Sequence, residues 1–265
     1  MSRLARFGEL RRALPLTAAA LLLVSLALPV WRITLTAPQY VETLVVELYA
    51  YPRLAGDFVE VQRLNHYVGF YYPDPVYVEP NYEVNERAVA VPEWVLGPVL
   101  FVALAAGAVV SALAPSARAL ARRLRYQLAG TVALFAATGA IIQYRLYQTG
   151  HSLDPAAPLS GVDGFTPPLV GTYEVANISG NAWLGPGGYL AALAVALLAV
   201  AYLLRESEAT VGDLPDLLRA APDRVRERVG RNRDERDERG RRERPGADSP
   251  DATERGRGGA RGGPP

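Results

Sequence analysis

Long apolar runs alternate with polar segments along this chain. They are long enough to cross or nearly cross a bilayer and fall at about residues 13–31, 94–113, 128–147 and 187–204. About 20 apolar residues in a helix span the hydrocarbon core of a bilayer. The pattern therefore predicts a mainly α-helical integral membrane protein with four transmembrane helices. Two large loops separate them, at residues 32–93 and 148–184.

The first apolar run is open to two interpretations. Four arginines within residues 1–12 precede it, and a basic segment before an apolar run is also typical of a signal peptide. The run is long, however, and ends in Pro29-Val30-Trp31 without a small-x-small cleavage pattern. These features favour an uncleaved helix with Trp31 at the membrane interface.

The charge of the connecting segments predicts the orientation. Residues 1–12 and the connection 115–127 each carry four arginines, whereas the two large loops are acidic. Basic connections stay in the cytoplasm, so both termini are predicted there and both large loops outside the cytoplasmic membrane. Residues 205–265 form a charged cytoplasmic tail whose Gly–Arg end is typical of disorder. An amphipathic segment at 211–229 is interrupted by two prolines.

The two outer loops are expected to fold together as a cap. Residues 43–51 and 58–64 are rich in β-branched and aromatic residues, and the turn-forming segment 52–57 lies between them, which predicts a short β-hairpin. Residues 71–82 are dense in Tyr and Pro, which favours an ordered, irregular lid. The Pro- and Gly-rich second loop predicts a structured, non-helical connection.

Few side chains in this chain can bind a metal. There is no cysteine, and the only methionine is Met1, so disulfides, zinc fingers and thiolate sites are excluded. The only two histidines are His66 and His151, and both are predicted in the outer loops. A histidine pair with nearby carboxylates is the minimum for a copper or zinc site without sulfur. Asp154 and Glu42 are the carboxylate candidates for such a site.

Other interpretations stay open. Two histidines on different loops often serve only as structural hydrogen-bond donors, and the Tyr/Pro cluster often serves only packing. The acids of the tail offset much of its basic charge, which argues against nucleic-acid binding. No charged residue lies in the central part of any predicted span, which argues against a permease. No catalytic constellation or nucleotide motif is present, so the chain is predicted not to be an enzyme.

Four strings carry a family resemblance: WRITLTAPQY at 31–40, LNHYVG at 64–69, GHSLDP at 150–155 and PPLVG at 167–171. Their order and spacing resemble a small family of four-helix membrane proteins encoded beside nitrous oxide reductase (nos) maturation genes, in clade II type clusters. The resemblance covers about residues 13–204 and omits the tail.

The resemblance implies an accessory role in copper supply or electron delivery to an exported cuproenzyme such as nitrous oxide reductase. It implies copper as the cofactor, and the lipid bilayer, the cuproenzyme or other maturation subunits as partners. As motif positions, the resemblance carries over Tyr40, His66, Tyr67, His151 and Asp154. Together with the carboxylate candidates above, the expected metal ligands are His66, His151, Asp154 and Glu42. The expected partner-binding or supporting residues are Tyr40, Asn65, Tyr67, Tyr71 and Tyr72. The family tends to have Met after its His-Tyr-Ile/Val-Gly string, whereas this chain has Phe70, which weakens a Cu(I) site because Cu(I) prefers sulfur.

The alternative is of another class: a non-catalytic scaffold or docking subunit. In it the cap binds an exported partner protein through its aromatic side chains, and the histidines are purely structural. The two hypotheses differ in whether the histidines bind metal.

Overall fold

A computed structural model describes residues 9–76, 86–159 and 164–213. The elements in these ranges are α1 (Leu10–Ser25), β1 (Trp31–Thr36), β2 (Leu44–Leu48), β3 (Leu54–Gly56), α2 (Phe58–Val68), α3 (Gly97–Ala112), α4 (Ala117–Gly150), β4 (Gly171–Val175), β5 (Ile178–Leu184) and α5 (Pro186–Leu203). A 3₁₀ turn at Pro92–Leu96 leads into α3, and another lies at Val211–Asp213. The chain divides into two units, residues 1–211 and 212–265, and the fold below belongs to the first.

Three helices are long and apolar enough to cross a membrane. They are Pro92–Ala112, Ala117–Gly150 and Pro186–Leu203, which contain or closely match the predicted spans at 94–113, 128–147 and 187–204. The prediction was wrong about the connection 115–127, because α4 already begins at Ala117. The Ser116 side chain accepts a hydrogen bond from the Ala119 N–H and caps this helix. Arginine and leucine, which dominate its first turns, are good helix formers.

The first predicted span is shorter than its apolar run. Helix α1 has 16 residues, or about 24 Å, and ends at Ser25. Trp31, predicted as its interfacial end, instead opens β1 and pairs with Leu48 on one side and Leu184 on the other. Hydropathy alone could not separate this apolar strand start from the preceding helix, because buried strands are also continuously hydrophobic.

Helix α1 packs closely against α3 and α5. The contact is made by small and apolar side chains, most of them fully buried: Ala18, Ala19, Leu22, Ala105, Ala108, Ala191, Ala194 and Leu198. Alanines let helix backbones approach one another closely. Helix α4 packs against α3 and α5, and most of its apolar surface is exposed. The four long helices therefore form one bundle in which α1 and α4 each pack against α3 and α5.

Two buried arginines tie the helix ends that lie opposite the sheet. Arg12 donates from Nη1 to the carbonyl oxygens of Ala112, at 2.6 Å, and Ala114, at 2.9 Å. Arg11 donates to a backbone carbonyl just beyond α5. Glu9 forms ion pairs with both arginines, at 2.8 and 3.4 Å. This arginine clamp satisfies carbonyls at the end of α3 that have no partner within the helix.

One antiparallel sheet joins the two predicted outer loops. Its strand order is β3-β2-β1-β5-β4, and every pairing is antiparallel. Strands β1 to β3 come from the segment between α1 and α3, and β4 and β5 from the segment between α4 and α5. The described parts of these two segments are called the cap below. Its β-structure is more extensive than the predicted hairpin.

The second arm of the predicted hairpin is a helix. Residues 58–64 lie in α2, and the strand that pairs with β2 is the three-residue β3 within the predicted turn. Val61, Leu64 and Val68 of α2 are buried at helical spacing and pack on the sheet. The apolar positions fit a helical period as well as an alternating one, and burial on the sheet decides between them.

Some predictions fall outside the described residues. These are the part of the Tyr/Pro lid at 77–85, the short segment 160–163, and the tail from residue 214 onward, which includes most of the predicted amphipathic segment.

Candidate functional site

The first histidine lies at the end of α2. His66 and Tyr67 are exposed in its last turn, and the helix ends at Gly69. Gly69 adopts a left-handed conformation with φ of 82°. The Phe70 N–H then bonds to the carbonyl of Asn65 at 2.8 Å, which is the geometry that commonly ends a helix at glycine. The string at 64–69 is therefore a helix end that turns the chain sharply after His66.

The second histidine lies at the end of α4. His151 Nδ1 is 2.9 Å from the carbonyl oxygen of Tyr147, and the two rings lie 4.2 Å apart between centroids. A carbonyl only accepts, so Nδ1 carries the proton and donates. In the neutral ring Nε2 then keeps its lone pair. Gly164 faces the same edge of the ring, since a Cβ there would lie 2.7 Å from Cδ2 and 3.2 Å from Nε2.

Backbone hydrogen bonds bring the two histidine motifs together. The Asp154 N–H donates to the carbonyl of Gly69 at 2.9 Å, and the Leu159 N–H donates to that of Tyr67 at 3.1 Å. The segment after His151 thus runs along the end of α2, where His66 lies. Sequence strings separated by more than 80 residues meet at one junction of the cap.

The Asp154 carboxylate holds this junction. Its Oδ2 accepts a hydrogen bond from the Tyr71 hydroxyl at 3.0 Å, and its Oδ1 accepts one from the Ala156 N–H at 2.9 Å. Arg87 Nε lies 3.7 Å from Oδ1. These contacts, with the bond from the Asp154 N–H to Gly69, are called the Asp154 latch. Both carboxylate oxygens are engaged, so Asp154 acts here as a connector between the two loops.

The latch stabilises the ionised carboxylate. The Ala156 N–H is the largest influence that lowers the pKa of Asp154, followed by the Tyr71 hydroxyl. Partial desolvation opposes these effects, while the charges of Arg87 and His66 add to them. Hydrogen bonds to a carboxylate and nearby positive charge both favour its charged form. His66 is therefore close enough to the latch to act on it electrostatically.

The Asp154 latch is expected to weaken in acid. The pKa of Asp154 is lower in the folded than in the unfolded chain, so its stabilisation is present above the ordinary value of about 3.9 and is lost as the pH falls through the folded value. Thermal unfolding of wild type and Asp154→Asn between pH 7 and 3 checks this. The difference in melting temperature between wild type and Asp154→Asn should be largest near pH 7 and should shrink below about pH 4. A difference that does not change with pH would contradict the latch.

The other predicted residues have separate roles. Tyr72 is partly buried and its hydroxyl donates to the Phe58 carbonyl at 3.1 Å, and desolvation raises its pKa well above the ordinary range. Tyr40 packs against the core between α2 and the sheet. Glu42 is exposed on the connection between β1 and β2. Asn65 lines a cavity of about 50 Å³ whose other walls are mainly apolar, among them Phe70 and Phe165.

Three residues of the junction were missed by sequence reasoning. Arg87 and Tyr147 contact Asp154 and His151, as described above. Gln143 of α4 donates to the Pro167 carbonyl at 3.1 Å and accepts from the Leu169 N–H at 2.8 Å, which docks the PPLVG string on α4. A glutamine near the end of an apolar span was the available signal, because an amide there needs polar partners.

The described side chains of the junction offer few groups that could bind a metal. Within residues 9–76, 86–159 and 164–213, no three His, Asp or Glu side chains gather as a ligand set. The residues that the junction does present are the exposed imidazoles of His66 and His151 and the engaged carboxylate of Asp154. Comparison of the chain with family models, with curated proteins and with solved structures finds no match.

Proposed function

We propose that this protein is a membrane-anchored, non-catalytic accessory protein whose cap binds copper through His66 and His151 for an exported cuproenzyme such as nitrous oxide reductase. The observation that carries the proposal is the convergence of the two histidine motifs at the Asp154 latch. Each imidazole is exposed there. The resemblance to the nos-linked family supplies the identity of the metal and of the recipient.

In this proposal all four long helices cross the membrane. Helix α1 is short, but it packs against both α3 and α5 and so lies at the same depth. Its 16 residues cover about 24 Å of a core roughly 30 Å thick. Arg11 and Arg12 lie within these 16 residues at the clamp end, and they tie α1 to the ends of α5 and α3.

Aromatic side chains mark the boundary between cap and helices. The Trp94 Nε1–H donates to the Tyr49 carbonyl at 2.9 Å, and exposed Trp183 donates to the hydroxyl of exposed Tyr189. Trp and Tyr concentrate at membrane interfaces. The opposite end carries the arginine-rich start of α4. This asymmetry supports a cap outside the cytoplasm and both termini inside it.

The geometry of His151 suits metal binding. Histidines that bind metals commonly donate their other ring N–H to a backbone carbonyl or carboxylate, as Nδ1 of His151 does to Tyr147. Nε2 is then the ligand atom. Among divalent first-row metals copper binds nitrogen ligands most tightly, so two imidazoles with water or a recipient's ligand form a transfer site that can release its metal.

Metal content tests the proposal. Detergent-purified protein is exposed to copper, desalted and measured by mass spectrometry beside His66→Ala, His151→Ala and the double variant. The wild type should hold stoichiometric copper, and either single variant should lose it. Arg63→Ala, an exposed change on α2 one turn before the junction, should keep it. Wild-type protein that holds no copper, with all variants equally well folded, would overturn the copper site.

A docking subunit is the second candidate, and the Asp154 latch favours it. The carboxylate already contacts Tyr71, Ala156 and Arg87. The ring contact of His151 with Tyr147 and its hydrogen bond to the Tyr147 carbonyl explain that histidine without a metal. Docking predicts that both histidine variants bind the cuproenzyme as the wild type does. Copper supply predicts instead that the cuproenzyme fails to acquire its metal in cells that carry either variant.

A further inference from the structure

Three arginines at the start of α4 share one exposed face. Arg118, Arg122 and Arg125 are spaced four and three residues apart, and all three are exposed. Residues three and four apart on a helix are surface neighbours. Among the described residues, other arginines at this end donate to backbone carbonyls, as Arg12 does to Ala112 and Arg123 does to Val110. The three exposed arginines are called the α4 basic face.

The α4 basic face lacks an acidic partner among the described residues. Within residues 9–76, 86–159 and 164–213, Arg125 contacts the neighbouring Tyr126 through its hydroxyl and its ring, and no hydrogen bond or ion pair engages Arg118 or Arg122. At this end Glu9 is paired with the arginine clamp, and Glu206 with Arg205. Like charges at this spacing repel one another. The face therefore has unneutralised positive charge.

The length of α4 places this face at headgroup depth. The helix has 34 residues, about 51 Å, against roughly 30 Å of hydrocarbon. Exposed Tyr147 marks the boundary on the cap side, and exposed Tyr126 lies about 31 Å from it along the helix. Both tyrosines therefore fit the two interfaces. Arg125, Arg122 and Arg118 follow within about 12 Å beyond Tyr126, across the polar zone.

We propose that the α4 basic face binds the phosphate groups of anionic lipids in the leaflet on the clamp side. Guanidinium groups match phosphate oxygens in charge and bidentate geometry. The tail as a whole does not offset this charge, since residues 214–265 contain 14 arginines and 11 acids. Such binding neutralises the repulsion within the face and fixes the depth of α4. The inference rests on the membrane insertion in the proposed function and is independent of the copper site.

Lipid selectivity measured by electron paramagnetic resonance tests this inference. Full-length protein is reconstituted in phosphatidylcholine, and spin-labelled phosphatidylglycerol is compared with spin-labelled phosphatidylcholine. We expect wild-type protein to prefer the anionic lipid several-fold at low salt and less at high salt, since each arginine near the surface contributes up to roughly fivefold. The triple variant Arg118→Gln, Arg122→Gln, Arg125→Gln should lose most of this preference.

A matched variant removes the same charge elsewhere. Arg32→Gln, Arg53→Gln, Arg63→Gln changes three exposed arginines of the cap and should keep the preference. Equal selectivity in the α4 triple variant and the wild type would overturn the inference, and so would an equal loss in the cap variant. Inorganic phosphate should compete no better than chloride at matched ionic strength; stronger competition would show a free-phosphate site instead and overturn the lipid assignment.

The measurement also separates this inference from the proposed function. If an immobilised lipid component is present but shows no preference for the anionic lipid, lipid binding by the α4 basic face is refuted and the membrane anchorage stands. The absence of an immobilised component for both lipids means that the helices do not meet the bilayer, and it overturns the membrane anchorage as well.

Discussion

Replacing Gly69 with alanine should separate the two loops of the cap. Gly69 has a φ of 82°, and a Cβ built on it lies 2.8 Å from both the backbone nitrogen and the carbonyl oxygen of Asp154. A left-handed conformation costs a residue with a Cβ about 1–3 kcal/mol, and the displaced bond between Asp154 and Gly69 adds about 1 kcal/mol. We expect Gly69→Ala to lower the free energy of unfolding by about 2–4 kcal/mol, as measured by denaturant unfolding.

A glycine without these constraints supplies the control. Gly130 lies inside α4, and a Cβ there meets nothing within 4 Å. Gly130→Ala should leave the free energy of unfolding unchanged or raise it by up to about 1 kcal/mol, because alanine favours helix. Equal losses in the two variants would show that Gly69 has no special role. Gly69→Ala should also reduce copper binding if the two histidines form one site, since it moves His66 away from His151.

Replacing Arg12 with alanine should loosen the opposite end of the bundle. Arg12 is only 6% exposed, and its guanidinium donates to the carbonyls of Ala112 and Ala114 at the end of α3. Hydrogen bonds from a charged group contribute about 1.5–3 kcal/mol each, and the variant leaves two buried acceptors without a donor. We expect Arg12→Ala to lower the free energy of unfolding by about 3–5 kcal/mol, measured in detergent micelles.

The control for this change removes an exposed arginine. Arg32 pairs with Glu47 at 3.8 Å, and its side chain is 51% exposed. Exposed ion pairs contribute less than about 1 kcal/mol, so Arg32→Ala should have little effect on unfolding. A loss in Arg12→Ala no larger than that of Arg32→Ala would mean that the arginine clamp is dispensable.

The apolar runs were sufficient to predict most of the helices. A stretch such as 187–204 is too apolar to be left in water, and a helix satisfies its own backbone hydrogen bonds. The predicted first span extends six residues beyond the end of α1 at Ser25, because Val30 and Trp31 are as apolar as the helix before them. Their assignment depends on Leu48 and Leu184, residues that are distant in sequence and pair with Trp31 in the sheet.

Helix α2 shows the limit of local patterns. Residues 58–64 have the β-branched and aromatic composition of a strand, and yet they form a helix whose buried face is set by the underlying sheet. Propensities differ by less than 1 kcal/mol per residue, whereas burying a side chain such as Val61 or Leu64 contributes about 1.5–3 kcal/mol. Tertiary burial therefore overrides the local preference.

The sequence by itself determined which residues could bind a metal, since two histidines and no cysteine leave little choice. It also determined, through the length of the apolar runs, that several helices are long and apolar enough to cross a membrane. Only the tertiary structure decided that Asp154 engages Tyr71 and Arg87 as a latch, and that the strings at 64–69 and 150–155 meet. The physical reason is that helix formation depends on neighbours along the chain, while hydrogen bonds between segments more than 80 residues apart depend on how the whole bundle and sheet position their ends.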